Sequence, residues 1–258
     1  MLSKFYSKSY FNNLNKATIG AARIILKDLH NIYKFKNLID IGCGHGSWLQ
    51  AASEISSIEK ITGIDGIYSE KFHQNFKTNS KINFVYQDLE KKLFFKNKSK
   101  VSKYDLAISL ETAEHLSPLR AKSFIKDICS VSNVIFFSAA VDGHGGQNHL
   151  NENNQSYWIE LFRNEKYDPF IFLDRKRYWF HENFKKCPYY ISGSFLFIKK
   201  GTKLYSDLIS YKVNEDQVVD IVHPYILQWR KDENFGVKIN LRRFIKSLTK
   251  FFKKKLKF

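Results

Sequence analysis

The 258-residue chain is poor in cysteine, and its three cysteines lie far apart. Cys43, Cys129 and Cys187 lack the C-x-x-C spacing of metal-binding and redox motifs, which excludes a disulfide framework and indicates reduced thiols. No apolar run approaches the ~20 residues that span a bilayer. The opening residues, M-L-S-K-F-Y-S-K, lack the apolar core of a secretory signal peptide. These absences predict a soluble, cytoplasmic protein.

Acidic residues are also scarce, with 25 Asp and Glu against 42 Lys and Arg, so the formal net charge is +17. Residues 238–258 contain nine of the basic residues and no acidic one, and without them the charge falls to +8. Apolar side chains interleaved with these charges predict an amphipathic basic helix. Three roles stay open for this tail: peripheral contact with an anionic membrane, contact with nucleic acid, or cover for the domain's own apolar surface.

The bulk composition excludes a disordered chain, because 43% of the residues are hydrophobic and 16% are aromatic. This length and composition suit one sizeable α/β core. We expect that core in residues 1–200, followed by a C-terminal extension, residues 201–258, that ends in the basic tail. Residues 200–237 show poor periodicity and support no assignment.

Apolar segments alternate with helical patterns along the first 200 residues. Strands are predicted at residues 38–41, 60–65, 82–88, 104–110, 133–138, 170–173 and 194–198. Helices are predicted at residues 14–32, 48–55, 119–131 and 151–163. This alternation predicts a doubly wound α/β fold whose mostly parallel sheet is connected by crossover helices.

The most informative segment is N-L-I-D-I-G-C-G-H-G-S-W, residues 37–48, in which an apolar run ends in Gly42, Gly44 and Gly46. The pattern is typical of a buried parallel strand followed by a tight turn into a helix. The spacing is neither the G-x-G-x-x-G of dinucleotide binders nor a P-loop. Taken alone, it fits a cofactor site or a simple corner of the chain.

Acidic residues follow three of the predicted strands at the same end. Asp65, Asp88 and Glu111 stand there together with the glycine turn. Parallel α/β sheets bind ligands at the carboxyl ends of their strands. The sequence therefore predicts a ligand site along this rim.

In this combination the chain resembles class I S-adenosylmethionine (SAM)-dependent methyltransferases over residues 14–199. D-I-G-C-G-H-G at residues 40–46 is similar to the family's first motif, and Asp65 and Asp88 are similar to the acids that close its second and third strands. Y-D-L-A-I-S-L-E at residues 104–111 is similar to the fourth-strand motif. The resemblance implies a seven-stranded sheet with an antiparallel last strand.

The resemblance also implies roles in cofactor binding. Asp65 would accept hydrogen bonds from the ribose diol, and Asp88 would accept one from the adenine amino group. The glycine turn would lie against the methionine part, and Asp40 would order the turn from behind. The expected SAM-binding residues are Asp40, Gly42, Gly44, Gly46, Asp65, Asp88, Leu89 and Ser109.

A second motif, E-T-A-E-H, follows the fourth strand and contains Glu111, Glu114 and His115. Positions i, i+3 and i+4 share a face if the chain turns helically there. Two adjacent carboxylates repel each other unless a cation lies between them. Oxygen and imidazole ligands together suit Mg²⁺, Mn²⁺, Fe²⁺ or Zn²⁺. The alternative is a local hydrogen-bonded Glu–His pair beside an Asn/His loop that contacts the substrate.

The loop D-G-H-G-G-Q-N-H-L-N-E, residues 142–152, brings two further histidines to the rim. E-x-x-E-H followed by such a histidine is similar to metal-dependent O-methyltransferases, including those of small-RNA 2′-O-methylation and of ubiquinone pathways. By this likeness His149 is the better fourth ligand, and His144 is the fallback. The predicted metal ligands are Glu111, Glu114, His115 and His149; the predicted catalytic residues are Glu114, His115 and His144.

Residues 136–162 resemble small-molecule methyltransferases of bacterial surface-polysaccharide pathways, among them an enzyme of capsular O-methyl phosphoramidate synthesis. The resulting hypothesis is a SAM-dependent O-methyltransferase whose small glycan- or nucleotide-linked acceptor offers a hydroxyl or phosphoryl oxygen. There are two alternatives: an RNA 2′-O-methyltransferase, and a non-catalytic SAM-fold scaffold at the membrane. Nucleic acid is a less favoured partner than a small-molecule acceptor. Arg175, Arg177 and the aromatics after them fit either a phosphate site or a solvated segment.

Overall fold

A computed structural model describes residues 8–66, 79–95, 104–146, 148–214 and 216–235. The strands are β1 Asn37–Ile41, β2 Lys60–Asp65, β3 Ile82–Tyr86, β4 Leu106–Leu110, β5 Val134–Ser138, β6 Tyr167–Phe170 and β7 Phe195–Lys199. The α-helices are α1 Lys8–Ile32, α2 Ser47–Ser53, α3 Ala121–Val131, α4 Gln155–Asn164, α5 Arg175–Tyr178, α6 Tyr189–Ser192, α7 Lys203–Asp207 and α8 Pro224–Phe235. Short 3-10 turns cover Ala113–His115, Pro118–Arg120, Glu182–Phe184 and Ile209–Tyr211. The basic helix predicted at residues 238–258 lies outside the described residues.

The strands form one sheet in the order β3-β2-β1-β4-β5-β7-β6. The five strands β1 to β5 pair in parallel. Strand β7 runs antiparallel to both β5 and β6. The prediction of a doubly wound, mostly parallel sheet with an antiparallel last strand is confirmed. Because the strand order reverses between β1 and β4, a crevice opens at their carboxyl ends.

Apolar side chains cover both faces of the sheet. On one face Leu26 of α1 and Leu49 of α2 are fully buried together with Leu38 of β1. On the other face Phe124 of α3 packs in a cluster that contains Ile39. Leu38 and Ile39 go to opposite faces because consecutive strand residues alternate. Both faces are thus filled by core, which leaves the strand ends as the place for polar chemistry.

The sixth strand differs from its prediction. It occupies Tyr167–Phe170 rather than residues 170–173, and it contains Pro169. Proline cannot donate to a sheet ladder and is therefore confined to edge strands. Strand β6 is such an edge strand, so the proline is tolerated. The other predicted strands and helices within the described residues overlap the observed ones.

The chain after β7 packs back onto the domain. Asp220 accepts hydrogen bonds of 2.8 Å from both the amide and the hydroxyl of Ser156, at the start of α4. Just before α8, the fully buried His223 is hydrogen-bonded through Nε2 to the carbonyl of Trp179 at 2.6 Å. These contacts fix the beginning of α8 against the domain. Among the helices that the structure describes, none is both long and apolar enough to cross a membrane.

Candidate functional site

The glycine turn joins β1 to α2 and is held against β2. Gly42 and Gly44 have φ angles of 89° and 52°, a region that residues with a side chain rarely adopt. The amides of Gly42 and Cys43 donate to the carbonyl of Ile64 at 2.8 and 3.2 Å. A β-carbon on Gly42 would overlap the side chain of Thr112. The backbone of the turn is therefore fixed, and position 42 has room only for glycine.

Two carboxylates stand beside this turn. Asp65 closes β2, is 7% exposed and accepts a 2.8 Å hydrogen bond from the amide of Gly44. Asp40 is 2% exposed, and its Oδ2 has no hydrogen-bond partner among the described residues. Burial, and then the charge of Asp65, raise the pKa of Asp40 well above its ordinary value. A ligand that carries hydroxyl or ammonium donors, as SAM does, would satisfy such acceptors.

The predicted adenine-side residues lie on an anchored loop. Asp88 is exposed, and its Oδ1 accepts a 3.1 Å hydrogen bond from the amide of Glu90. The carbonyl of Leu89 accepts one of 3.0 Å from Arg120. Arg120 is itself buried and pairs with Asp127 at 2.5 Å. Sequence analysis did not single out this ion pair. The seven-residue spacing of Arg120 and Asp127, about two helical turns, was the pattern that could have indicated it.

The remaining predicted cofactor residues differ in accessibility. Gly46, with a φ of 81°, directly precedes α2 and so completes the turn. Ser109 is fully buried within β4, and its Oγ has no hydrogen-bond partner in the described part of the chain. Ser109 therefore offers no exposed atom to a ligand in this conformation, whereas the turn residues lie at the rim.

Glu111 is the first residue after β4, and its backbone is strained. Its φ of 52° is rare for a residue with a side chain, and such strain clusters at functional sites. Its carboxylate accepts a 2.7 Å hydrogen bond from the hydroxyl of Ser138, at the end of β5. Burial raises the pKa of Glu111 to about 7, and this hydrogen bond opposes the rise. The residue therefore bridges the ends of two adjacent strands.

Glu114 lies in the 3-10 turn after β4 and is 1% exposed. Neither of its carboxylate oxygens has a hydrogen-bond partner among the described residues. Burial, and then the charge of Glu111, raise the pKa of Glu114 well above its ordinary value. The amides of Glu114 itself and of Ala140 lie close enough to offset only part of this rise. An unsatisfied buried carboxylate is costly, which indicates that a cation or donor belongs beside it.

Glu114 forms a cluster with two histidines. The ligand-capable atoms of Glu114, His115 and His149 all lie within 4.8 Å of one another. The rings of His115 and His149 meet edge to face, with centroids 4.8 Å apart. Glu111, the fourth predicted ligand, lies outside this cluster, with its carboxylate on Ser138. The structure thus brings together three of the four predicted ligands.

Neighbouring groups orient both imidazoles. Nδ1 of His149 lies 2.6 Å from the Glu152 carboxylate, which favours a tautomer with the proton on Nδ1 and a lone pair on Nε2. The backbone carbonyl of Asn148 lies beside His115. Burial, followed by the proximity of His149, lowers the pKa of His115. Metal-binding histidines commonly have such a carboxylate or carbonyl behind them.

The loop that carries His149 is tied to the turn that carries Glu114. The amides of Leu150 and Asn151 donate to the carbonyl of Glu114 at 2.8 and 3.0 Å. These two bonds hold the loop beside Glu114. The helix α4 begins at Gln155 rather than at the predicted residue 151, and Asn154, just before it, has an extended backbone.

His144 lies on the same loop, between His149 and Tyr189. Its ring centroid is 6.0 Å from that of His149 and 5.9 Å from that of Tyr189. Burial, and then the proximity of His149, lower the pKa of His144 to about 4. His144 is therefore neutral at physiological pH, and a pKa this low makes it a weak base.

The basic-aromatic segment after β6 packs as structure. Arg175 donates to the carbonyl of Ser194 at 3.1 Å, and its guanidinium lies 4.9 Å from the ring centroid of Phe195. Trp179 stacks near His223, with ring centroids 4.5 Å apart. These contacts favour the structural interpretation of this segment over a phosphate site.

The cluster fits a divalent metal by the chemistry of its donors. It offers a partnerless buried carboxylate and two oriented imidazoles, the donor set typical of Mn²⁺, Fe²⁺ or Zn²⁺. Sequence analysis missed Glu152, although its position three residues after His149 was a usable signal. It also missed Arg230, which reaches the loop from α8 and is too distant in sequence for any spacing pattern to find.

One comparison with known proteins identifies the family of this chain. A methyltransferase domain model matches residues 19–195. No curated protein matches the chain. The methyltransferase domain of bacterial CtHen1 is similar, with 21% identity and a TM-score of 0.51, covering 72% of this chain and 98% of that one. An O-methyltransferase family protein from Burkholderia thailandensis has 10% identity and a TM-score of 0.52, covering 73% and 59% respectively. At these identities the two structures support the fold alone.

Proposed function

Because the chain belongs to the methyltransferase domain family, whose methyl donor is SAM, we propose that it is a metal-assisted O-methyltransferase of a small glycan- or nucleotide-linked acceptor. The family match confirms the predicted SAM-dependent methyltransferase. The divalent metal, the acceptor and a role in surface-polysaccharide or capsule modification belong to the proposal.

The observation that supports a metal most strongly is the environment of Glu114. Its carboxylate is buried without a partner, and His115 and His149 lie within reach of the same point. Glu114, His115 and His149 would hold the ion, and Glu111 stays the predicted fourth ligand. When bound, a divalent ion at this site would polarise an acceptor oxygen and lower its pKa.

The chain's own residues would orient the two reactants. The glycine turn and Asp65 would hold the methionine and ribose parts of SAM, which fixes the position of its methyl group at the crevice between β1 and β4. The loop of residues 142–154 would hold the acceptor above it. Methyl transfer is an in-line displacement, so most of the acceleration would come from this alignment. His144, on the same loop, is the predicted base for a hydroxyl acceptor, but its low pKa suits better a phosphoryl acceptor that is already anionic and needs no base.

The main alternative is an RNA 2′-O-methyltransferase, which the formal charge of +17 favours. The small-acceptor proposal is supported instead by the contact of Arg230 of α8 with Asp142, two residues before His144. A long strand would need an open approach to the loop that carries His144. The two proposals differ in the class of acceptor, not in the chemistry at Glu114.

A methyl-transfer assay separates these alternatives. Protein would be incubated with methyl-labelled SAM and Mn²⁺, and with nucleotide sugars, sugar phosphates or short RNA, and product would be counted with and without EDTA. We expect label in a small acceptor, lost with EDTA and in Glu114→Gln, and retained in Glu160→Gln, an exposed glutamate of α4. Label in RNA alone would favour the RNA 2′-O-methyltransferase. Methyl transfer that EDTA does not reduce would contradict the proposed role of a metal ion.

A further inference from the structure

Arg230 projects from α8 onto the loop that carries His144. Its Nη2 donates a 2.8 Å hydrogen bond to the carbonyl of Asp142. Its guanidinium carbon lies 3.8 Å from the point where a side chain at Gly143 would begin. Because Gly143 has no side chain, the guanidinium can lie directly against the loop. An arginine from the C-terminal part of the chain thus becomes a wall of the proposed acceptor site.

In the part of the chain that the structure describes, the guanidinium of Arg230 makes one hydrogen bond, the one to Asp142. Among the described residues it has no carboxylate partner, and its buried Nε has no acceptor. Arg120, by contrast, pairs with Asp127 and donates to two backbone carbonyls. An arginine has five N–H donors in a planar fork, and this fork matches the oxygens of phosphate or carboxylate groups. A partly buried fork that engages a single carbonyl is therefore a candidate anion binder.

The place of Arg230 links it to the chemistry of the rim. His144, two residues after Asp142, faces His149 of the metal cluster with ring centroids 6.0 Å apart. Arg230 also lies outside residues 19–195, the part matched by the methyltransferase model. The cation is therefore an addition of this chain to the shared domain, where specificity for an acceptor would be expected.

We propose that Arg230 binds a phosphoryl group of the acceptor, so that the substrate of the proposed methyltransferase is a phosphoryl-bearing small molecule. The inference rests on the proposed function, because only a methyltransferase would have an acceptor, but anion binding at Arg230 can be measured without methyl transfer. A doubly charged, three-oxygen group would use more of the fork's free donors than a carboxylate could.

Binding of inorganic pyrophosphate tests this site without any methyl transfer. Titration calorimetry would be run at constant ionic strength with EDTA, so that no metal ion can recruit the anion. The wild type should bind, and Arg230→Gln should weaken the affinity at least about tenfold, the expected loss for a charge-assisted hydrogen-bonded pair. Lys231→Gln, an exposed neighbour on α8 with the same change in charge, should leave the affinity unchanged.

Three results would overturn the proposal. They are no binding by the wild type, equal binding by Arg230→Gln, or succinate binding as tight as pyrophosphate. If Arg230→Gln melts well below the wild type, the affinity of Arg230→Lys for pyrophosphate is measured instead. Lysine keeps the positive charge but lacks the planar fork of N–H donors. An Arg230→Lys variant with the affinity of the wild type would overturn the proposal. Because EDTA is present and SAM is absent, failure here leaves the metal-dependent transfer standing. Failure of that transfer likewise leaves this site standing.

Discussion

The amide of Gly44 donates a 2.8 Å hydrogen bond to Oδ2 of Asp65, so the glycine turn after β1 and the acid that ends β2 form one unit. Because Gly42 is bonded to Ile64 just before it, the unit is fixed on two adjacent strands. The carboxylate is thereby held at the crevice where the strand order reverses. This is the geometry that a ribose diol requires of a fixed acceptor.

Replacing this carboxylate should impair SAM binding. Asp65→Ala removes the proposed acceptor of two ribose hydroxyls, and we expect the dissociation constant for SAM to rise roughly tenfold to a hundredfold. Calorimetric titration with SAM measures the change. Asp207→Ala, which removes an exposed acid of α7, serves as the control and should bind SAM like the wild type. Equal affinity in both variants would remove Asp65 from the cofactor site.

The paired glutamates should make the metal-free protein less stable as pH rises. Burial raises the pKa of Glu111 from 4.5 to about 7, and the pKa of Glu114 is raised as well. Above pH 4.5 the unfolded chain ionises first, so the folded state binds more protons and its unfolding free energy falls up to about pH 7. The loss is on the order of 3 kcal/mol for Glu111 alone.

Urea unfolding in EDTA between pH 4.5 and 8 measures this slope. Glu114→Gln removes one ionising group and the repulsion on its neighbour, so its slope should be shallower. Glu160→Gln, an exposed substitution on α4, should keep the slope of the wild type. A wild-type protein whose stability rises through this range, or a Glu114→Gln variant with an unchanged slope, would contradict the assignment.

The buried ion pair beneath the adenine-side loop should contribute strongly to stability. The side chains of Arg120 and Asp127 are 5% and 10% exposed. Arg120→Met would leave a buried carboxylate unpaired and two carbonyls without donors, at a cost of about 3–5 kcal/mol of unfolding free energy. Chemical denaturation measures it.

An exposed pair provides the comparison for Arg120. Arg23 and Glu54 form two hydrogen bonds with each other, but their side chains are 52% and 41% exposed. Arg23→Met should therefore cost less than about 1 kcal/mol. Similar losses in the two variants would mean that burial does not set the strength of these pairs.

Much of the fold was predictable because it depends on local patterns. Leu38 and Ile39 alternate between two cores, and Asp65 and Glu111 follow their strands directly, so the apolar runs alone reveal both the sheet and its rim. The shift of β6 was not predictable, because the tolerance for Pro169 depends on its edge position. Edge position is a property of the assembled sheet.

The candidate site was predictable in its residue types but not in its arrangement. Glu114 and His115 follow β4 within a few residues, so the local sequence was enough to predict both at the rim. The position of His149 depends on Glu152 and on the loop amides that bond to Glu114. The position of Arg230 depends on a contact with Asp142 across 88 residues. Contacts between distant segments leave no periodic signal in the sequence.

The most direct test of the proposed metal-assisted methyltransferase is the number of Mn²⁺ ions bound per chain, measured by equilibrium titration, with SAM affinity measured on the same samples. We expect one Mn²⁺ per wild-type chain, none in Glu114→Ala, and SAM affinity equal in the two proteins. The metal ligands would then be separate from the SAM-binding turn. A wild-type chain that binds no Mn²⁺, or a Glu114→Ala variant that binds it as tightly as the wild type, would contradict the account.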